Sequence, residues 1–173
     1  MKKLVGVAVL AGVVLTASAV FTASKSDDDV LRQAKDRTQI EELMWRYARA
    51  LDTGDAATYA SLYTPDGQFG AGANPTKGRE ALKKMIEGVG QRQGGAQPAA
   101  DTKRPPMYHM TANEQLRFID KDHARIDAYY ITMFGAAGEG TPARVAAVGR
   151  SIDELERVNG AWLIKSRNVA PQN

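Results

Sequence analysis

Apolar residues recur along this chain at three different spacings, and each spacing predicts a different kind of structure. Leu4 to Leu15 is an uninterrupted run of apolar residues and glycine. Further on, Ile40, Leu43, Met44, Tyr47, Ala48 and Leu51 fall on one stripe at helical period. Asp36 with Gln39 three residues later has the form of a capping box, which predicts a helix start near residue 37. Val30 and Leu31 are placed to extend the same helix by an earlier turn, and Ser24 to Asp29 reads as a polar linker. Gly54, in Asp52-Thr53-Gly54-Asp55, suits the left-handed position that ends a helix. Asp55 then caps a second, short helix that carries Tyr59, Leu62 and Tyr63 inward. Thr64 to Gly67 reads as a turn and Gln68 to Gly72 as a short strand. A third helix is expected over Arg79 to Val89, with Ala81, Leu82, Met85, Ile86 and Val89 on its apolar face.

From Met107 the period changes to two. Four strands are predicted, over Met107 to Ile119, Ala124 to Phe134, Ala143 to Arg157 and Ala161 to Val169. Asn159-Gly160 between the last two is a strong hairpin signal. Helices followed by a run of strands predict an α+β domain, with about three helices packed on a mainly antiparallel sheet. Gly90 to Pro106 has almost nothing apolar to bury, and a loop of this length inside a compact domain is usually functional or disordered.

The leading apolar run changes the picture of location. Lys2 and Lys3 precede it, and Thr16-Ala17-Ser18-Ala19 follows it with an A-x-A pattern. Together they predict a secretory signal peptide over 1–19, cleaved after Ala19, and a periplasmic or secreted product. An uncleaved anchor is the rival reading, because Val20 and Phe21 extend the apolar stretch. The expected organisation is then 20–36 as linker and helix start and 37–170 as the folded domain. The chain has no cysteine, which excludes disulfides, thiolate metal sites and a cysteine nucleophile. Of its 23 basic residues, 21 remain after removal of Lys2 and Lys3, against 20 acidic ones. No basic block stands out, so a nucleic-acid partner is not indicated.

Several local patterns, in order, resemble the SnoaL-like branch of the superfamily that holds nuclear transport factor 2, ketosteroid isomerase and scytalone dehydratase. They are Ile40-Glu41-Glu42-Leu43, Tyr47-Ala48-Arg49-Ala50-Leu51-Asp52, Gly54-Asp55, Leu62 to Gly67 and Gly78-Arg79-Glu80-Ala81-Leu82. In the strands, His109 with Asn113, Gly149-Arg150 with Asp153 and Leu155, and Asn159 to Ile164 complete the series. The resemblance implies a cone-shaped fold enclosing a pocket for a small, largely apolar molecule. It also implies chemistry without a cofactor, and a homodimer through the sheet as is common in the superfamily.

The candidate chemistry rests on few residues. Asp52 and His109 match the positions of an aspartate–histidine pair in scytalone dehydratase-like enzymes. There the carboxylate orients the imidazole, which moves a proton as general base and then acid. The competing readings are a turn aspartate and a strand histidine facing water. Tyr47, Tyr63, Asn113 and Arg150 are candidates for binding the ligand, although both tyrosines lie on helix stripes where core packing is the common role. Asp153 would bind a polar ligand group or pair with Arg150 or another neighbour, and Trp162 reads as core. By strand parity His109 shares a face with Met107, Thr111, Asn113, Gln115 and Arg117, opposite Tyr108, Met110, Leu116 and Phe118. The match is incomplete. Leu51 stands where the dehydratase has a tyrosine, and its second histidine has no counterpart in Val148 to Arg150. The carboxylate base of ketosteroid isomerase falls near Ala71, and the aspartate–arginine–aspartate set of limonene epoxide hydrolase is not recognisable. Metal-ligand spacing is absent. The resulting expectation is a dehydratase-, isomerase- or cyclase-type enzyme, with a non-catalytic small-molecule binding protein as the alternative. The Gly90 to Pro106 loop would be the lid.

Overall fold

The structure, a computed structural model, describes residues 26–92, 105–136, 140 and 142–171. The expected signal segment, its cleavage site and most of the expected lid loop lie outside the described residues. Three helices, α1 (Asp27–Thr53), α2 (Ala56–Ser61) and α3 (Arg79–Arg92), flank two short strands, β1 (Tyr63–Phe69) and β2 (Thr76–Lys77). Four long strands follow: β3 (Met107–Phe118), β4 (His123–Phe134), β5 (Arg144–Val158) and β6 (Ala161–Asn168). The sheet order is β2-β1-β6-β5-β4-β3. Every neighbouring pair is antiparallel except β1 with β6. The helices pack on one curved face, as the α+β pattern predicts.

Helix α1 begins ten residues before the capping-box position. Ser26 is its N-cap and accepts from the Asp29 amide, and Asp27, Asp28 and Asp29 form an acidic first turn that suits the positive end of the helix dipole. The expected linker is therefore helical from Asp27. Asp36 does not cap. It is buried mid-helix and pairs with Arg157 of β5 and with Arg32, the latter at 3.4 Å. The helix ends as expected, at Gly54 in the left-handed region (φ 70°). Asp55 caps α2 by accepting from the Thr58 amide at 2.9 Å, and Tyr59, Leu62 and Tyr63 are buried.

Thr64 to Gly67 is a different matter. The sequence reads as a turn, yet these residues lie within β1, in an irregular stretch between the pairs Tyr63↔Ile164 and Gln68↔Ser166. A side chain at Gly67 would come within 2.9 Å of both the Ile164 carbonyl oxygen and Tyr63 Cβ. The turn-like composition thus serves a bulge in a strand. Arg79 then anchors the start of α3 by donating from Nε (2.8 Å) and Nη2 (2.6 Å) to the Tyr63 carbonyl.

The long strands match expectation closely, and Asn159 (φ 52°) with Gly160 (φ 84°) makes the tight turn before β6. One irregularity matters. The β3–β4 register shifts between Ala112 and Gln115, and Asn113 there has φ 52°. This bulge reverses the parity of β3. Met107, His109 and Thr111 before it, and Leu116 and Phe118 beyond it, are the partly buried positions. Leu116 and Phe118 pack against the core, on the same side as His109 and not opposite it.

Candidate active site

Between the helices and the concave sheet lies a cavity of about 360 Å³. Leu51 of α1, Met85 and Ile86 of α3, Phe69 of β1 and Phe134 of β4 supply much of its apolar wall. The polar groups are few: Tyr47, Tyr59, His109, Thr111, Tyr130, Thr132 and Arg167. A mostly apolar wall with a small set of convergent polar groups is the usual form of a small-molecule site.

Asp52 and His109 meet at this wall. Asp52 occupies the last turn of α1, where the helix dipole disfavours a carboxylate. Donors from elsewhere offset that cost. Oδ1 accepts from the His109 backbone N–H at 2.9 Å and is 3.0 Å from His109 Nδ1. Oδ2 accepts from Arg49 Nη1 at 3.3 Å. The backbone bond is available because β3 is the outer strand of the sheet, so its outward amides have no neighbouring strand. The Asp52 side chain is 8% exposed and that of His109 is 23% exposed, so the carboxylate is sheltered and the ring reaches the cavity. A carboxylate on Nδ1 selects the tautomer with the proton there, and leaves Nε2 as a base.

Tyr47 and Tyr63 belong to a tyrosine cluster with Tyr59, whose ring centroids stand 5.2–6.5 Å apart. The Tyr59 and Tyr63 hydroxyls are 2.9 Å apart. Burial raises the pKa of all three, so they remain protonated. Tyr47 and Tyr59 border the cavity; Tyr63 lies behind them in the core. Asn113 is exposed on the β3 bulge. Arg150 pairs across strands with Tyr129, on the face turned away from the cavity, and both are exposed. Neither Asn113 nor Arg150 borders the cavity. The bulge explains the first and strand parity the second.

Sequence reasoning missed Arg167. It lies on β6 between Phe69 of β1 and Asp153 of β5, is 3% exposed, and borders the cavity. Its Nη1 donates to Asp153 Oδ2 at 2.6 Å, and its guanidinium carbon sits 4.5 Å from the Tyr47 ring centre. Asp153 therefore pairs with Arg167, not with Arg150. Burial pushes the Asp153 carboxyl up to about 6, against the pull of Arg167. The available signal was parity: Trp162, Ile164 and Arg167 of β6 are all buried, but a register shift opposite Glu154 and Leu155 separates Arg167 from the alternation. Among the described residues, no group of three or more His, Asp or Glu side chains is placed to hold a metal ion.

A curved sheet capped by helices around a sheltered cavity defines the class of small α+β cone proteins. The SnoaL-like domain model matches residues 32–168, and the chain belongs to that family. A nuclear transport factor 2-like protein with a cystatin-like fold from Novosphingobium aromaticivorans is 24% identical, covering 83% of this chain and 86% of its own, with TM-score 0.66. A protein of the same organism, named as a candidate scytalone dehydratase, is 22% identical over 80% of this chain and 85% of its own, with TM-score 0.63. A Catenulispora acidiphila protein in complex with S-DNPA is 24% identical over 78% of this chain and 92% of its own, with TM-score 0.62. At these identities the likeness establishes the fold. No curated protein matches the chain.

Proposed function

We propose that this chain is an exported small-molecule enzyme that performs acid–base chemistry without a cofactor, of dehydratase, isomerase or cyclase type. The observation that carries the proposal is the contact between Asp52 Oδ1 and His109 Nδ1, 3.0 Å apart at the edge of an apolar cavity. Asp52 holds the ring and offsets the positive charge that develops when Nε2 takes a proton from the ligand. The protonated ring then returns that proton to another atom of the ligand, or to a leaving hydroxyl. Tyr47 and Tyr59 border the same space and supply hydroxyl donors that orient the ligand. The basic start and apolar run of the first 19 residues support export. The dehydratase-named neighbour and the ligand-bound neighbour support a small molecule in this pocket, by analogy of fold.

The test is proton exchange in deuterated water, followed by NMR, with a panel of cyclic ketones and hydroxyketones. Wild-type protein is expected to speed exchange or dehydration of at least one, and His109→Ala to lose that effect. Turnover that survives in His109→Ala ends the proposal. Binding without any exchange points instead to a carrier or sensor of the same fold.

A further inference from the structure

Arg167 is a cation set into a mostly apolar cavity wall, and its pairing is sparse for so buried a charge. Among the described residues its side chain makes one hydrogen bond, from Nη1 to Asp153, and both Asp153 Oδ1 and Arg167 Nε are buried without a hydrogen-bond partner there. Ser151 Oγ adds a long contact of 3.4 Å to Asp153 Oδ2. Burying two charges for one good hydrogen bond gains little stability, and an apolar pair of similar volume would serve the core as well. The position of the pair points to a different role.

We infer that Arg167 anchors a single ligand oxygen that carries or acquires negative charge, the phenolate or enolate oxygen of a compact ring compound. Four features of the geometry select that class. Nε is sealed, which closes the Nε/Nη2 edge to a ligand, and Nη1 of the other edge is already engaged by Asp153, so two parallel bonds to a carboxylate or phosphate are disfavoured. Nη2 is then the donor left for one oxygen, and Arg167 borders the cavity although only 3% exposed. Tyr47, stacked under the guanidinium, and Tyr59 beside it are kept protonated by burial and add neutral donors. Most of the rest of the wall is apolar and partly aromatic, which suits a ring body.

This reading rests on the proposed Asp52–His109 chemistry for its catalytic consequence. The cavity's volume equals that of a sphere about 9 Å across, so a ligand that fills it reaches both Arg167 and His109. When His109 Nε2 removes a proton next to a carbonyl, the C–H bond breaks and its electron pair forms the carbon–carbon double bond. The carbonyl π pair moves onto oxygen, and Arg167 receives that oxyanion.

The test is binding, which does not require turnover. The full chain is titrated with a nitrophenol, whose phenol and phenolate forms absorb at different wavelengths, and with its methyl ether as a neutral control. Wild-type protein is expected to bind the phenolate in preference to the phenol. Arg167→Ala would leave Asp153 unpaired and is prone to unfold, so the informative variants are Arg167→Lys and the paired change Arg167→Met with Asp153→Asn. The paired variant is expected to lose about tenfold or more in phenolate affinity while binding the methyl ether as the wild type does. Arg167→Lys is expected to fall between the two. The inference is overturned if the wild type binds no nitrophenol, binds only the neutral form, or if the paired variant keeps the phenolate preference. His109→Ala separates the two readings, since it should keep phenolate binding even as exchange activity is lost.

Discussion

Asp52 and His109 are joined twice: a single carboxylate oxygen takes both the backbone amide and the ring nitrogen of the same histidine, at 2.9 and 3.0 Å. Two donors from one residue fix the ring's position relative to the helix end, because neither bond can shift without the other. The arrangement predicts a proton on Nδ1 in the neutral ring. Nitrogen-15 NMR of labelled protein should report that tautomer, and Asp52→Ala should abolish the preference. In a working enzyme, Asp52→Asn is expected to lower turnover by about 10²-fold or more, with a smaller effect on ligand binding.

The buried Arg167–Asp153 pair should be asymmetric to mutation. Arg167→Ala leaves a carboxylate in the core with only a long contact to Ser151, and is expected to cost about 3–5 kcal/mol in urea unfolding. Removing both charges, with Arg167→Met and Asp153→Asn, is expected to cost far less. Equal losses in the two variants would contradict this account of the pair.

Asp153 also sets a pH dependence. Burial, the largest cause, raises its carboxyl to about 6, with Glu114 adding to the rise and Arg167 and Ser151 opposing it. A carboxyl that holds its proton more tightly folded than unfolded makes the fold most stable below the unfolded value, near 4. Stability from this group then falls as pH rises from about 4 to about 6 and is level above, a loss of up to about 3 kcal/mol. Unfolding curves of the wild type and of Asp153→Asn should diverge across that window, with the slope absent in the variant.

Asp36 ties the helix layer to the sheet through Arg157, which also stacks on Trp162 at 4.5 Å and lies 3.6 Å from Asp122. Asp36→Ala is expected to destabilise the fold by about 2–3 kcal/mol by leaving the partly buried guanidinium short of a partner. The measurement is the urea midpoint at constant m-value.

Gly149 offers a way to alter the cavity without touching its polar groups. It sits opposite Tyr130 on β4, and a Cβ there would lie 2.8–3.0 Å from the Tyr130 ring and hydroxyl. Gly149→Ala should therefore displace the Tyr130 side chain, which borders the cavity, and change ligand affinity severalfold with little loss of stability. Unchanged affinity for every ligand tested would show that Tyr130 does not bound the occupied space.

Much of this protein was legible as pattern. Helical stripes, the period of two from Met107, and the Asn159-Gly160 turn determined the element order, because burial of one face imposes a spacing on any helix or strand. The resemblance in motif order named Asp52 and His109, 57 positions apart, which no local spacing relates. Tertiary structure decided which face is inside. The bulge at Asn113 reversed the parity of β3, placing Leu116 and Phe118 on the side of His109 and leaving Asn113 outside. Strand pairing turned Arg150 away and brought Arg167 against Asp153 in the cavity wall. Asp36, with the look of a cap, became a buried ion-pair partner because a strand passes beneath that turn of α1. Alternation records that a strand has two faces; only the register of its neighbours, and the layer that covers them, assigns one to the interior.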